Sequence, residues 1–178
     1  MANTTFSGPV ISKNGFINTG PGAAKNINST GLGAGGLALT VNDHAGRILL
    51  SQDADGIYLL PPINVNANGA TAGSTDYNNL NNIGATFYIY IDTTATDVQI
   101  ITDGVDKFTG AAMISVDNGD TKAFFPGAAN DVLSMNGTTT GGIIGSVIKI
   151  TALENDQYLV HDTLILGSGA IATPFSDT

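Results

Sequence analysis

Short apolar segments separated by turn residues recur along most of the chain, and their spacing predicts strands rather than helices. The clearest is Thr86-Phe-Tyr-Ile-Tyr-Ile-Asp92, where strict alternation puts Phe87, Ile89 and Ile91 on one face and Tyr88 and Tyr90 on the other. Both faces of this strand are expected to be covered. The same reading predicts strands at Leu37 to Val41, Arg47 to Leu50, Gly56 to Leu60, Val98 to Thr102, Ala111 to Val116, Ala123 to Phe125, Val132 to Met135, Ser146 to Ala152 and Gln157 to Leu166. Asp55-Gly56, Asp103-Gly104, Asn118-Gly119 and Asn136-Gly137 supply the positive φ of tight connections, and Glu154-Asn155-Asp156 closes a final hairpin. The fold class is therefore all-β, a single β-sandwich or barrel of about eight to ten short strands.

Three zones follow from the pattern. Residues 1 to 36 carry Gly8-Pro9, Asn14-Gly15, Gly20-Pro21-Gly22 and Gly31-Leu-Gly-Ala-Gly-Gly36, which exclude regular structure, yet Phe6, Val10, Ile11, Phe16 and Ile27 recur at intervals. This is expected to be an extended arm that orders against a partner. Residues 37 to 166 form the body, interrupted by the polar stretch Asn64 to Asn82, an exposed loop whose Tyr77 and Leu80 are candidate contacts to a neighbouring subunit. Residues 167 to 178 form a tail in which Phe175 docks locally or on a neighbour. No internal repeat is evident in the sequence.

Composition narrows the class. Charged residues make up 12% of the chain, roughly half the usual share, so the surface must be built from Asn, Thr, Ser and Gly. Such a surface suits a protein packed in an assembly better than a free monomer. Up to Arg47 the net charge is +2, from Lys13, Lys25 and Arg47 against Asp43, and the remainder carries −11. A body this acidic excludes nucleic acid as a direct partner. No cysteine is present, no stretch reaches the length of a membrane span, and the start lacks a signal-peptide pattern, so a soluble, unprocessed chain is expected.

The candidate chemistry is thin. Gly31-x-Gly33-x-x-Gly36 matches the dinucleotide fingerprint in letters, but a predicted strand follows where a helix must begin. His44 and His161 each adjoin an aspartate, Asp43 and Asp162, without a nucleophile-elbow signature; neighbours in one strand should point to opposite faces. Asp103-Gly-Val-Asp106 and Asp117-Asn-Gly-Asp120 look like ordinary Asx turns, since no loop runs on to the bidentate Glu of a calcium site. Tyr58, Phe87, Tyr88, Tyr90, Phe124, Phe125 and Tyr158 fall within strands, as core or interface residues. No cofactor, metal or catalytic role is assigned.

Several segments resemble small structural proteins of tailed bacteriophages, notably marine podophages. The opening Phe6-Ser-Gly-Pro-Val10 with Asn14-Gly-Phe16 is similar to their beginning. Ile48-Leu-Leu, Ala54-Asp-Gly-x-Tyr-Leu-Leu-Pro-Pro62, Gly84-x-x-Phe87-x-Ile89-x-Ile91, Val98-x-Ile-Ile-Thr-Asp-Gly-x-Asp106 and Thr138-Thr-Thr-Gly-Gly-Ile-Ile-Gly145 resemble capsid decoration domains. The resemblance implies a non-enzymatic decoration or cement protein on the outer capsid surface of the virion. It would be a homotrimer bridging subunits of the major capsid protein, with no membrane partner. On this reading Phe6, Pro9, Val10, Lys13, Phe16 and Lys25 form the capsid-binding arm, the apolar ones filling shallow pockets. The alternatives are a tail-fibre or adhesin module binding host glycan through the Asn64 to Asn82 loop, and a small β-barrel hydrolase.

Overall fold

The structure, a computed structural model, describes residues 24–63, 82–117, 119–154 and 156–178. It is a sandwich of two sheets, so the all-β expectation holds, with thirteen strands among the described residues rather than eight to ten. The first six strands are laid down in pairs: β1 (Ala24–Ile27) and β2 (Leu37–Ala38), β3 (Ile48–Ser51) and β4 (Ile57–Leu59), β5 (Thr86–Ile91) and β6 (Val98–Ile101). In each pair the first strand joins the larger sheet and the second the smaller, so each pair is an arch across the core and not a hairpin.

The arches stack in parallel register. Ala24 aligns with Ile48 and Ile48 with Tyr88, while Leu37 aligns with Tyr58 and Tyr58 with Ile100. Residues at equivalent positions therefore sit one above another on each sheet, and the alternation of every strand serves the same core. This is a repeat of structure that no repeat of sequence announces.

Later strands close the stack. β10 (Val132–Met135) runs antiparallel to β6, and β11 (Val147–Glu154) antiparallel to β5, so the chain crosses back between the sheets as a reversed arch. β12 (Gln157–Gly167) pairs with β11 through the expected hairpin at Asp156, whose φ is 61°, and β13 (Phe175–Ser176) pairs with β10. The strands β7 (Lys107–Gly110) and β8 (Ala112–Val116) line successive halves of β12 in parallel, and β9 (Thr121–Phe124) forms a hairpin with β8.

One core fills the space between the sheets. Phe87, Ile89 and Ile91 of β5 are fully buried among Leu49, Tyr58, Ile100, Leu133, Ile148, Ile150 and Tyr158. Tyr88 and Tyr90 are half-buried on the outer surface, so only one face of this strand is fully covered.

Two expectations change, and of the two placements expected for the tail the local one holds. Residues 24–36 belong to the body: Ile27 is buried in the core, and Asp53 binds Ser29 and Thr30. The strand predicted over Leu37 to Val41 stops at Ala38, because Thr40 caps the short helix α1 (Val41–His44) by accepting from the Asp43 N–H at 3.3 Å. The tail is docked: Asp131 accepts hydrogen bonds from the Thr178 N–H at 2.9 Å and its hydroxyl at 3.1 Å.

Candidate interaction surface

The predicted contact residues are dispersed. Phe6, Pro9, Val10, Lys13 and Phe16 lie outside the described residues, as do Tyr77 and Leu80. Lys25 is not part of a free arm; it sits in β1, in register with Leu49. Phe175 is not offered to a neighbouring subunit either. It is buried in the core beside Phe108, their ring centroids 6.1 Å apart, because β13 pairs with β10 and turns the ring inward.

Buried acids position the turns around this frame. Asp53, 6% exposed, is satisfied by the backbone N–H and hydroxyl groups of Ser29 and Thr30, with Thr30 contributing bonds of 2.9 and 2.5 Å. Burial pushes its pKa up, but these bonds outweigh that and hold it below the usual carboxylate range. The result ties the first arch to the second. Asp131 plays the same part near the C-terminal strand, with Lys107 Nζ 2.9 Å away.

Asp106 behaves differently. In the Asp103 to Asp106 turn, Asp103 accepts from the Val105 and Asp106 N–H groups as an Asx turn should, while Asp106 points inward and accepts from the Ile63 N–H at 2.9 Å. Burial, with the Asp103 and Asp156 carboxylates adding to it, pushes its pKa up to about 6. Tyr158 donates to the Pro61 carbonyl and Asn82 to the Pro62 carbonyl, so these residues together fix the chain from Pro61 to Ile63. Among the described residues no cluster of three or more His, Asp or Glu side chains is placed to hold a metal ion, and no helix is long and apolar enough to cross a membrane.

The two histidines separate in role. His44 is buried, and its Nδ1 accepts the Thr40 N–H at 2.9 Å; burial first, then the nearby Lys25 charge, lowers its pKa. His161 and Asp162 should face opposite ways, but a bulge in β12 intervenes. Asp162 has φ 45°, and its carboxylate comes within 3.3 Å of His161 Nδ1 and 3.0 Å of Lys149 Nζ. His161 Nε2 lies 2.9 Å from Thr151 Oγ1, which is itself 2.9 Å from Thr86 Oγ1. The order Thr-His-Asp is that of a relay, yet Thr151 lies mid-strand between two ladders and Asp162 is shared with a lysine. The network fixes the imidazole on an open sheet surface.

That surface is what the sequence pattern did not reveal. Across the outer face of the large sheet, Leu50, Tyr90, Val147 and Leu164 stand in register on four strands, with Met113 following on β8. Ile48 is 45% exposed, Leu164 44% and Met113 42%, and Phe125 just past β9 is 74% exposed. Each strand alternates correctly when read alone. Only the register of the assembled sheet shows that its outward positions are apolar in succession.

No family model matches the chain, and no curated protein or solved structure is detectably similar to it.

Proposed function

We propose that this chain is a structural component of a bacteriophage particle, a decoration protein that binds the outer surface of the capsid as a homotrimer and bridges subunits of the major capsid protein. Residues 1–23 are the attaching arm on this reading, leading directly into β1 at the edge of the large sheet. What supports it most is the surface: few charges in the whole chain, and a broad sheet face of half-exposed apolar side chains. Such a face is costly for a protein that stays alone in water and expected of one held in an assembly. Several arms acting together would raise effective concentration and tighten attachment about 10²- to 10⁴-fold. The protein carries no catalysis in this proposal.

The test is imaging the virion of the phage that encodes the chain, combined with binding of full-length protein and of residues 24–178 to shells stripped of it. The expected result is density on the shell, and loss of binding by the shortened chain with its melting temperature unchanged. Density on the tail instead, with glycan binding retained after shortening, would favour the adhesin. Turnover that disappears in His161→Ala would favour the hydrolase; His44 is no test of catalysis, because its ring is part of the α1 cap.

A further inference from the structure

We infer that two copies of this chain associate by inserting Phe125 of one into an apolar groove on the outer face of the large sheet of the other. The groove, about 540 Å³, is lined by Met113, Ala123, Leu159, His161 and Thr163, and Phe125 stands at its rim. At 74% exposure Phe125 is the most exposed large apolar side chain among the described residues, so it projects beside an open, shallow groove of similar chemistry.

Charge selects a second copy as the occupant. The chain carries −9 overall, so two copies repel wherever acidic groups meet. The exposed acids Asp55 and Asp97 lie in or beside the arch turns, while Asp103 and Asp156 lie in turns between strands. At the groove itself the carboxylate is that of Asp162, already paired with Lys149 at 3.0 Å. With one cation and one anion side by side on this face, the Phe125 side of one copy can meet the groove side of the next around a closed ring without opposing like charges. Its apolar middle and charged margin follow the anatomy of protein interfaces.

Area sets the expected strength. From β3 to β8 the apolar row crosses five strands, about 19 Å at ~4.8 Å per strand, which gives on the order of 400 Å² per copy. The total of roughly 800 Å² falls short of the ~1,000 Å² that a stable specific interface needs, so association of one pair should be weak, transient and concentration-dependent. The inference rests on the proposed function only for the number of copies in the final assembly; self-association itself belongs to the isolated protein.

Sedimentation equilibrium of the full-length chain over a wide concentration range tests it. Wild type should rise above monomer mass, and Phe125→Ser should raise the dissociation constant by about tenfold or more, with an unchanged circular dichroism spectrum and melting temperature. Met113→Asp, at the groove wall, should weaken association similarly and provides a second variant should the first misfold. A wild-type protein that remains monomeric at the highest concentration overturns the inference, as does association that neither variant weakens. Loss of shell binding by these variants from a wild type that is strictly monomeric would assign the groove to a capsid partner and also overturn it.

Discussion

The hydroxyl of Tyr58 lies 2.8 Å from Oγ of Ser51, joining the two strands of the second arch inside the core. Both residues are fully buried, and the Ser51 hydroxyl relies on Tyr58, whose own hydroxyl also reaches the Ile27 carbonyl at 3.4 Å. Tyr58→Phe should leave the Ser51 hydroxyl short of a partner and cost about 1–3 kcal/mol. Adding Ser51→Ala should recover part of that loss. A double mutant as unstable as the sum of the singles, in denaturant titration, would show that the pair is not coupled.

Asp53 holds two arches together through four donors, and its replacement should be felt in both. Asp53→Asn should destabilise the fold by about 2–3 kcal/mol, since the amide cannot accept all four bonds. Because the folded pKa is depressed, the stabilisation from ionised Asp53 is present above its unfolded value near 4 and is lost as pH falls through the folded value. Acid unfolding monitored below pH 4 should therefore be shallower in the variant; an identical acid limb would remove the carboxylate from this role.

Asp106 should act in the opposite direction. Its folded pKa of about 6 lies above the unfolded value, so the folded state binds the extra proton between about pH 4 and 6, and stability falls as pH rises through that window. The difference amounts to roughly 2–3 kcal/mol. His44, whose pKa is lowered, opposes this by destabilising the fold as pH drops below about 6.5. The readout is therefore the difference between wild type and Asp106→Asn, which should favour the variant at pH 8 and vanish near pH 4. A difference that does not change with pH would contradict the assignment.

Two glycines with similar backbones should respond unequally to alanine. Gly46 has φ 71° and open space around its Cβ position, whereas at Gly137, φ 73°, a Cβ would lie 2.2 Å from the Ala95 carbonyl oxygen. Gly46→Ala should cost about 1 kcal/mol from the left-handed backbone alone. Gly137→Ala must also part the third arch from the reversed one, and should cost about 3 kcal/mol or more. Equal melting temperatures for the two variants would show that the contact at Gly137 yields freely.

Shortening the chain should reveal where the body begins. Removing residues 1–23 should leave the fold intact, whereas removing 1–36 deletes β1 and all four donors to Asp53 and should expose Leu49 of β3. A stable, cooperative 37–178 fragment would show that the first arch is dispensable to the body.

The strands themselves were readable because alternation is a local property, and the Glu154 to Asp156 hairpin was readable because its neighbours are consecutive. Pairing was not. Asp55-Gly56 turns the chain as a hairpin would, but β3 and β4 enter different sheets; both outcomes bury the same alternate residues, so one sequence pattern fits either. β1 was hidden because Ala-Lys-Asn-Ile offers one large apolar residue, and β13 because it is two residues long. The helix after Thr40 did leave a trace, a Thr followed three residues later by an Asp, overshadowed by the apolar run before it. The apolar outer face needed register between strands distant in sequence, which periodicity within a strand cannot supply.

Stacked arches give the molecule a direction for yielding to force. The β1–β2 arch has one neighbouring arch, and β1 is the strand into which residues 1–23 lead. Tension entering there would peel that arch first and reach the second only afterwards, while the arches closed by β10 to β13 stay joined. A tether attached at that point would lengthen in steps before the rest of the molecule came apart.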